Sequence, residues 1–319
     1  MTDIMLIEAA AARLAGHARR TPLLSSPFLD EIAGRPVFVK AECLQHTGSF
    51  KFRGGWNAVT ALVEAGPVGG VIAFSSGNHA QGVALAAQRH GLPAVIVMPS
   101  DAPAIKVANT RALGAEVVPF DRATEDRDAL GARLAAERGL ALIKPFDMTE
   151  VIAGQGTVGL EIAEQAAEAG VTRAEVLVPC GGGGLTSGIA VALKARAPGM
   201  VVRPVEPEGF DDVARSQAAG RRLRNERLSG SICDAIITPE TGDLTWPLLR
   251  DLCGAGRVVS EDEALRAMAL AHDRLKIVLE PGGAVALAAA LFRPADGPVI
   301  AVASGGNVDR AMMIRALGA

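Results

Sequence analysis

The sequence predicts an α/β protein with mostly parallel sheet, on three observations. Short runs rich in Val, Ile, Leu and Ala recur along the chain, separated by stretches of helical period, the alternation from which parallel sheets are built. The runs are nearly continuous in apolar residues, as strands covered on both faces must be. Several end in polar, glycine-rich turns, at the strand ends where open α/β sheets bind ligands.

In chain order the expected strands are 37–40, 71–74, 94–98, 116–120, 141–143, 175–179, 201–205 and 299–303. After the first run, Phe52, Trp56, Val59 and Val63 stand 4, 3 and 4 apart, one face of a helix. Segments 82–90 and 185–196 suit crossover helices, whereas 207–246 shows no regular period. Residues 46–145 read as a compact unit of alternating strands and helices, which leaves 1–45 to pack with 146–319. Strands and helices alone do not establish two domains, although 319 residues are enough for about two.

Composition narrows the function classes. Hydrophobic residues are 49% and charged residues 21%, enough for a sizeable core and far from a disordered composition. Net charge is −3 with no basic block, which argues against nucleic acid or anionic lipid as partner. No apolar run reaches the ~18 residues of a membrane span. The N-terminus lacks the basic start and cleavage site of a signal peptide, so the expectation is a cytoplasmic protein. Cys43, Cys180, Cys233 and Cys253 show no C-x-x-C spacing, and each reads as a small buried hydrophobe. The five histidines show no metal-ligand spacing, and the absence of tyrosine removes the phenol as an acid or base.

Four segments carry chemistry. Lys51 follows a glycine-containing turn at the mouth of a helix, flanked by Phe50 and Phe52. It is either a surface lysine or a desolvated amine able to form an imine. Gly181-Gly182-Gly183-Gly184-Leu185 lies between a strand and a helix. It is a tight turn or a phosphate cradle of backbone N–H groups at a helix N-terminus. It matches neither dinucleotide nor nucleoside-triphosphate fingerprints. Ser75-Ser76-Gly77-Asn78-His79 follows another strand and suits either an N-cap or a carboxylate site. Ser304-Gly305-Gly306-Asn307 follows the last strand, with Ser304 a turn residue or a hydrogen-bonding group in the crevice. Together they suggest one site for a phosphate, an anion and an imine-forming carbonyl. Pyridoxal phosphate supplies both phosphate and aldehyde, and acts as an electron sink for carbanions.

On these four segments, which follow one another in the chain as Lys51, 75–79, 181–185 and 304–307, the sequence resembles the β-family (fold type II) of pyridoxal-phosphate enzymes, most of all the serine/threonine dehydratases and serine racemases. Weaker matches are Arg20-Thr21-Pro22-Leu23, Ile152-Ala153-Gly154-Gln155-Gly156-Thr157 and Leu279-Glu280-Pro281. The resemblance implies two open, mostly parallel twisted sheets flanked by helices, as in the tryptophan synthase β-subunit. The cofactor would lie in the cleft between a large domain (1–45 and 146–319) and a small mobile one (46–145). Lys51 would form the imine with the cofactor and later move the Cα proton, and Phe50 would lie against the ring. Asn78 would meet the phenolic oxygen, Gly181 to Gly184 and Leu185 the phosphate, and Ser304 the pyridine nitrogen, with Glu280 also on the cofactor. Ser75, Ser76, Gly77 and His79 would take the substrate carboxylate. Arg127 stands where serine racemases place an arginine that reaches a ligand carboxylate; the other reading is a solvated helical arginine.

A neutral hydroxyl at Ser304 favours prompt loss of a β-hydroxyl over transamination. The resemblance therefore implies a lyase of amino-acid metabolism that converts threonine or serine to a 2-oxo acid and ammonia. Ser76 stands where the racemases carry their second base, so a serine or aspartate racemase stays open, as does a 3-hydroxyaspartate dehydratase. A rival of another class is a non-catalytic protein that binds a phosphorylated ligand. Glu206, Phe210 and Asp212 resemble the family's divalent-cation site, whose hard oxygen ligands suit Mg²⁺, Mn²⁺ or Ca²⁺; the plain alternative is an acidic loop. A homodimer is expected from the family. The chain ends soon after the Ser304 segment, so no C-terminal regulatory domain is expected.

Overall fold

The computed structural model describes residues 2–75, 77–100, 102, 104–121 and 124–318. It contains two sheets. The strands are β1 Leu23–Ser25, β2 Val37–Lys40, β3 Val71–Phe74, β4 Ala94–Pro99, β5 Glu116–Phe120, β6 Ala141–Leu142, β7 Ala174–Pro179, β8 Met200–Pro207, β9 Arg257–Val259 and β10 Val299–Val302. A six-stranded sheet runs β1-β2-β10-β7-β8-β9, and a four-stranded sheet runs β5-β4-β3-β6. Every pairing is parallel except β1 with β2, where Leu23 faces Lys40. The smaller sheet is thus drawn from the middle of the chain, the larger one from both ends.

Continuous apolarity does what parallel strands require. In β10, Val299 and Ala301 pack into a core with the helix Pro281–Phe292, whereas Ile300 and Val302 join the opposite core with Val158, Ile162 and Ile189. All four are fully buried, and burying each branched side chain stabilises the fold by roughly 1.5–3 kcal/mol. The smaller sheet repeats the pattern. Val71 and Ala73 face the helices Lys51–Ala65 and Asn78–Arg89, and Ile72 faces the side of Leu134.

Both helices that carry the lysine and asparagine start directly after irregular turns. Lys51–Ala65 and Asn78–Arg89 cross closely, because a Cβ at Gly82 would lie 2.9 Å from the Lys51 backbone. The segment without a clear period holds the helix Asp212–Ala219 and then turns, until Thr245–Leu252 begins. Strands β1 and β9 lie outside the sequence expectation, and β6 is shorter than the run 141–143. Among the described residues no helix is long and apolar enough to cross a membrane.

Candidate active site

A cleft of about 970 Å³ is lined by residues of all four chemical segments, including Lys51, Asn78, Gly181 and Ser304. Backbone pairing brings two of those segments together. The Phe50 N–H donates to Ser304 O at 3.1 Å, and the Gly306 N–H to Gly48 O at 2.9 Å. Ser49 forms an isolated antiparallel bridge with Gly305. The turn before the lysine is thereby fastened to the end of β10.

Lys51 opens its helix with the side chain half-buried. Its ammonium donates to Pro145 O at 2.7 Å and lies 5.1 Å from the Phe50 ring centroid. No carboxylate pairs with it among the described residues. Desolvation therefore acts unopposed and lowers its pKa to about 8.

The tetraglycine turn joins β7 to the helix Gly184–Arg196. A Cβ at Gly181 would lie 2.7 Å from Ile236 O, and one at Gly184 2.6 Å from Gln155 Oε1. At Gly182 it would strike the Phe146 ring. Glycine is required here because neighbours press against each Cα. The opposite edge of the turn is open: the N–H groups of Gly181 to Leu185 have no partner among the described residues. Five unpaired donors at a helix N-terminus are a site for an anion.

Asn78 opens its helix, donating to Glu280 Oε1 at 2.7 Å and accepting from Asn307 Nδ2 at 2.6 Å. Burial raises the Glu280 carboxyl to about 7. The Ser304 side chain is buried in the cleft wall with no hydrogen bond among the described residues. Ser75 Oγ accepts from the Gly77 N–H at 3.1 Å. His79 is buried, with Nε2 at 2.9 Å from Ile143 O. A carbonyl only accepts, so Nε2 carries the proton. Burial, with the Lys51 charge beside it, lowers its pKa to about 3, so the ring is neutral. Arg127, the first residue of the helix Arg127–Arg138, lies on the cleft wall with its guanidinium 5.3 Å from the Phe74 ring centroid. Ser76 lies outside the described residues.

Glu206, Phe210 and Asp212 sit apart from the cleft, at the end of β8. Both Glu206 oxygens accept backbone N–H groups, of Val213 at 2.9 Å and Ala214 at 2.8 Å. Burial, then the neighbouring Asp212, raises Glu206 well above the usual carboxylate range. Asp212 is raised to about 7 by burial; its Oδ1 accepts from Asn225 at 2.7 Å, and its Oδ2 is buried without a partner. An unpaired buried carboxylate oxygen suits a cation. No group of three or more His, Cys, Asp or Glu side chains placed to hold a metal ion occurs among the described residues, so carbonyls and water would have to complete the shell.

Residues 14–307 match the family model of pyridoxal-phosphate dependent enzymes. The chain belongs to that family. It is 44% identical to the L-threo-3-hydroxyaspartate ammonia-lyase of Pseudomonas sp, over 94% of this chain and 93% of that one. With the serine racemase of Oryza sativa subsp. indica it shares 40% identity over 99% of this chain and 94% of the other. The crystal structure of a T.th. threonine deaminase superposes with a TM-score of 0.92 at 45% identity, covering 96% of this chain and 99% of that one. These relatives place the enzyme in the fold type II group with the serine/threonine dehydratases and serine racemases. The residues present fit the family's cofactor: a desolvated amine with no acid partner among the described residues shares a cleft with five N–H groups that are free among those residues and able to hold a phosphate.

Sequence reasoning missed Pro145, which acts through a backbone carbonyl and leaves no side-chain signal. It also missed Phe146, whose ring covers Gly182. Gly183 adopts φ +91°, and a Cβ there would lie 2.7 Å from Leu249 Cδ1. Gly183→Ala is expected to cost about 1–3 kcal/mol of stability and to weaken pyridoxal phosphate binding at least about tenfold. Urea unfolding and a cofactor titration check both.

Proposed function

We propose that this enzyme eliminates water from a hydroxy-amino acid, threonine or serine first, and that the enamine so formed takes the water back on hydrolysis to give a 2-oxo acid and ammonia. The observation that carries the reading is Lys51, an amine without a carboxylate partner among the described residues, in the same cleft as N–H groups of 181–185 that are free among those residues. Bound pyridoxal phosphate supplies an electron sink for charge developing at Cα. Lys51 carries the cofactor and, once its Nζ is free again, takes the proton from the substrate Cα. The 181–185 N–H groups hold the phosphate, Phe50 flanks the ring, and Asn78 with Glu280 borders its oxygen. Ser304 offers the ring nitrogen a neutral hydroxyl. The loop of Ser75, Ser76, Gly77 and His79 receives the substrate carboxylate, with His79 as a neutral group. Residues 46–145 form the small body that closes on the rest. The enzyme works in the cytoplasm as a homodimer.

Arg127 on the cleft wall favours a second reading, a 3-hydroxyaspartate ammonia-lyase in which the guanidinium takes the side-chain carboxylate. The Pseudomonas relative supports it. A serine at position 76 keeps racemase activity as a further outcome. One experiment separates them: L- and D-serine, threonine and 3-hydroxyaspartate assayed for both 2-oxo acid and enantiomer. No 2-oxo acid from any substrate would sink the lyase reading, and an inverted enantiomer alone would make the enzyme a racemase.

The further proposal is a divalent cation, Mg²⁺, Mn²⁺ or Ca²⁺, on Glu206, Asp212 and the Phe210 carbonyl. EDTA is expected to lower Tm by several degrees, with Mg²⁺ restoring it. An unchanged melting curve rules the cation out.

A further inference from the structure

A side-chain amide offers one acceptor and two donors in almost the same shape, so its direction must be imposed by its neighbours. Here a backbone carbonyl imposes it. Asn307 Nδ2 donates to Thr47 O at 2.8 Å, an atom that can only accept. The same nitrogen donates to Asn78 Oδ1 at 2.6 Å. With its oxygen taken, Asn78 turns its nitrogen to Glu280 Oε1 at 2.7 Å. One Asn78 hydrogen is left over, on a residue that lines the cleft.

The surroundings are shaped to this relay. Thr47 is one of two non-glycine residues with positive φ among those described, at +59°, a conformation disfavoured for branched side chains. A Cβ at Gly48 would lie 2.6 Å from Asn307 Oδ1, and one at Gly305 would strike Glu280 Oε1 and approach Asn78 Nδ2 to 3.2 Å. The two glycines leave room for the amide and for the carboxyl group.

We infer that Asn307 is a positioning residue that makes Asn78 an obligatory hydrogen-bond donor toward the cleft. The inference rests on the cleft holding pyridoxal phosphate, whose ring oxygen is the acceptor of matching chemistry. Asn307 also lines the cleft, but in this role it is no catalytic residue. It acts through the neighbouring amide.

Asn307→Asp tests it, because the shape is kept and both donors are lost. The new carboxylate would then set acceptors against two acceptors, the Thr47 carbonyl and Asn78 Oδ1, and Asn78 would turn over to present its oxygen to the cleft. The expected results are a Kd for pyridoxal phosphate at least about tenfold higher and a rise of about one unit in the pKa of the bound cofactor's visible chromophore. The rise follows because an anionic ring oxygen loses its donor. In an Asn78→Ala background, Asn307→Asp should add almost nothing. A variant that binds and titrates like the wild type, or effects that simply add, would overturn the inference. Should circular dichroism show that Asn307→Asp does not fold, Asn307→Ser, too short to reach both partners, is held to the same outcomes. In the wild-type holoenzyme the Asn307 side-chain NH₂ should exchange slowly with solvent, and fast exchange counts against the relay. A wild type that takes up no pyridoxal phosphate overturns the reading of the cleft and this inference with it. Normal uptake with Asn307→Asp unaltered overturns this inference alone.

Discussion

Lys51→Ala is expected to lower ammonia release at least about 10³-fold, because the variant loses both the amine that carries the cofactor and the base that moves the proton. Other lysines line the cleft but are poor substitutes. Lys106 pairs with Asp234 at 3.2 Å, and Lys144 is exposed. Among the described residues only Lys51 combines desolvation with the absence of an acid partner. Its pKa of about 8 also sets a pH signature. Below that value the amine is charged and cannot attack an aldehyde; above it the neutral form dominates. At pH 8 about half is neutral, against roughly one part in 300 for an unperturbed lysine. Covalent uptake of pyridoxal phosphate by the apo protein should therefore climb with pH and level off above about pH 9. Borohydride trapping followed by peptide mapping measures this. A rate still rising steeply at pH 10, or a label on Lys144, would remove Lys51 from its role.

What the sequence could reveal depended on whether the signal was local. The strands β2, β3, β4, β5, β7, β8 and β10 were legible because each is a short, largely apolar run between turn residues, although the edge strand β5 is only partly covered. Strand β1 is three residues long, antiparallel and on an edge, and β9 is equally short; neither is long enough to show a period. The stretch after β8 is held by polar contacts that sequence cannot foresee. Arg215 Nη2 reaches Asn225 Oδ1 at 2.7 Å, and Asn225 Nδ2 donates to Thr238 O at 2.9 Å. Within the candidate site, Lys51 and the glycine run announced themselves by type and position. The carbonyls of Pro145 and Thr47 did not, because every residue has one. Asn307 was visible as part of a motif, but its partner Asn78 stands 229 positions away, and only the fold brings the two amides together.

Arg53→Ala is expected to cost about 3–5 kcal/mol of stability, a large share of what an ordinary domain possesses. Arg53 is 1% exposed, two residues beyond Lys51. Its Nε and Nη2 each donate to Glu42 at 2.8 Å, and its Nη1 to Glu161 at 2.7 Å. Lys40, also buried, completes the network by donating to Glu161 at 2.5 Å and Thr21 O at 2.7 Å. Glu42 is fully buried. Burial alone would raise its pKa, but the Arg53 charge and hydrogen bonds override that, and Glu42 is held below its usual value. Alanine at 53 removes that compensation and leaves a buried carboxylate facing Lys40 at a distance. The pH dependence follows from the sign. In the wild type Glu42 contributes stability above its unfolded pKa and loses it as pH falls through the lower folded value. In the variant Glu42 would have to be protonated to stay buried, so the deficit should be greatest near pH 7 and shrink toward pH 4. Urea unfolding at both pH values measures this, and a deficit under about 1 kcal/mol at pH 7 would refute it. Replacing both partners, Arg53→Met with Glu42→Leu, should cost less than Arg53→Ala alone, because no unpaired charge is left. If the double variant is stable yet slow, the network's contribution is geometric: it ties the helix that begins at Lys51 to the helix Thr149–Glu168 through Glu161, and so keeps the amine in place relative to the glycine turn.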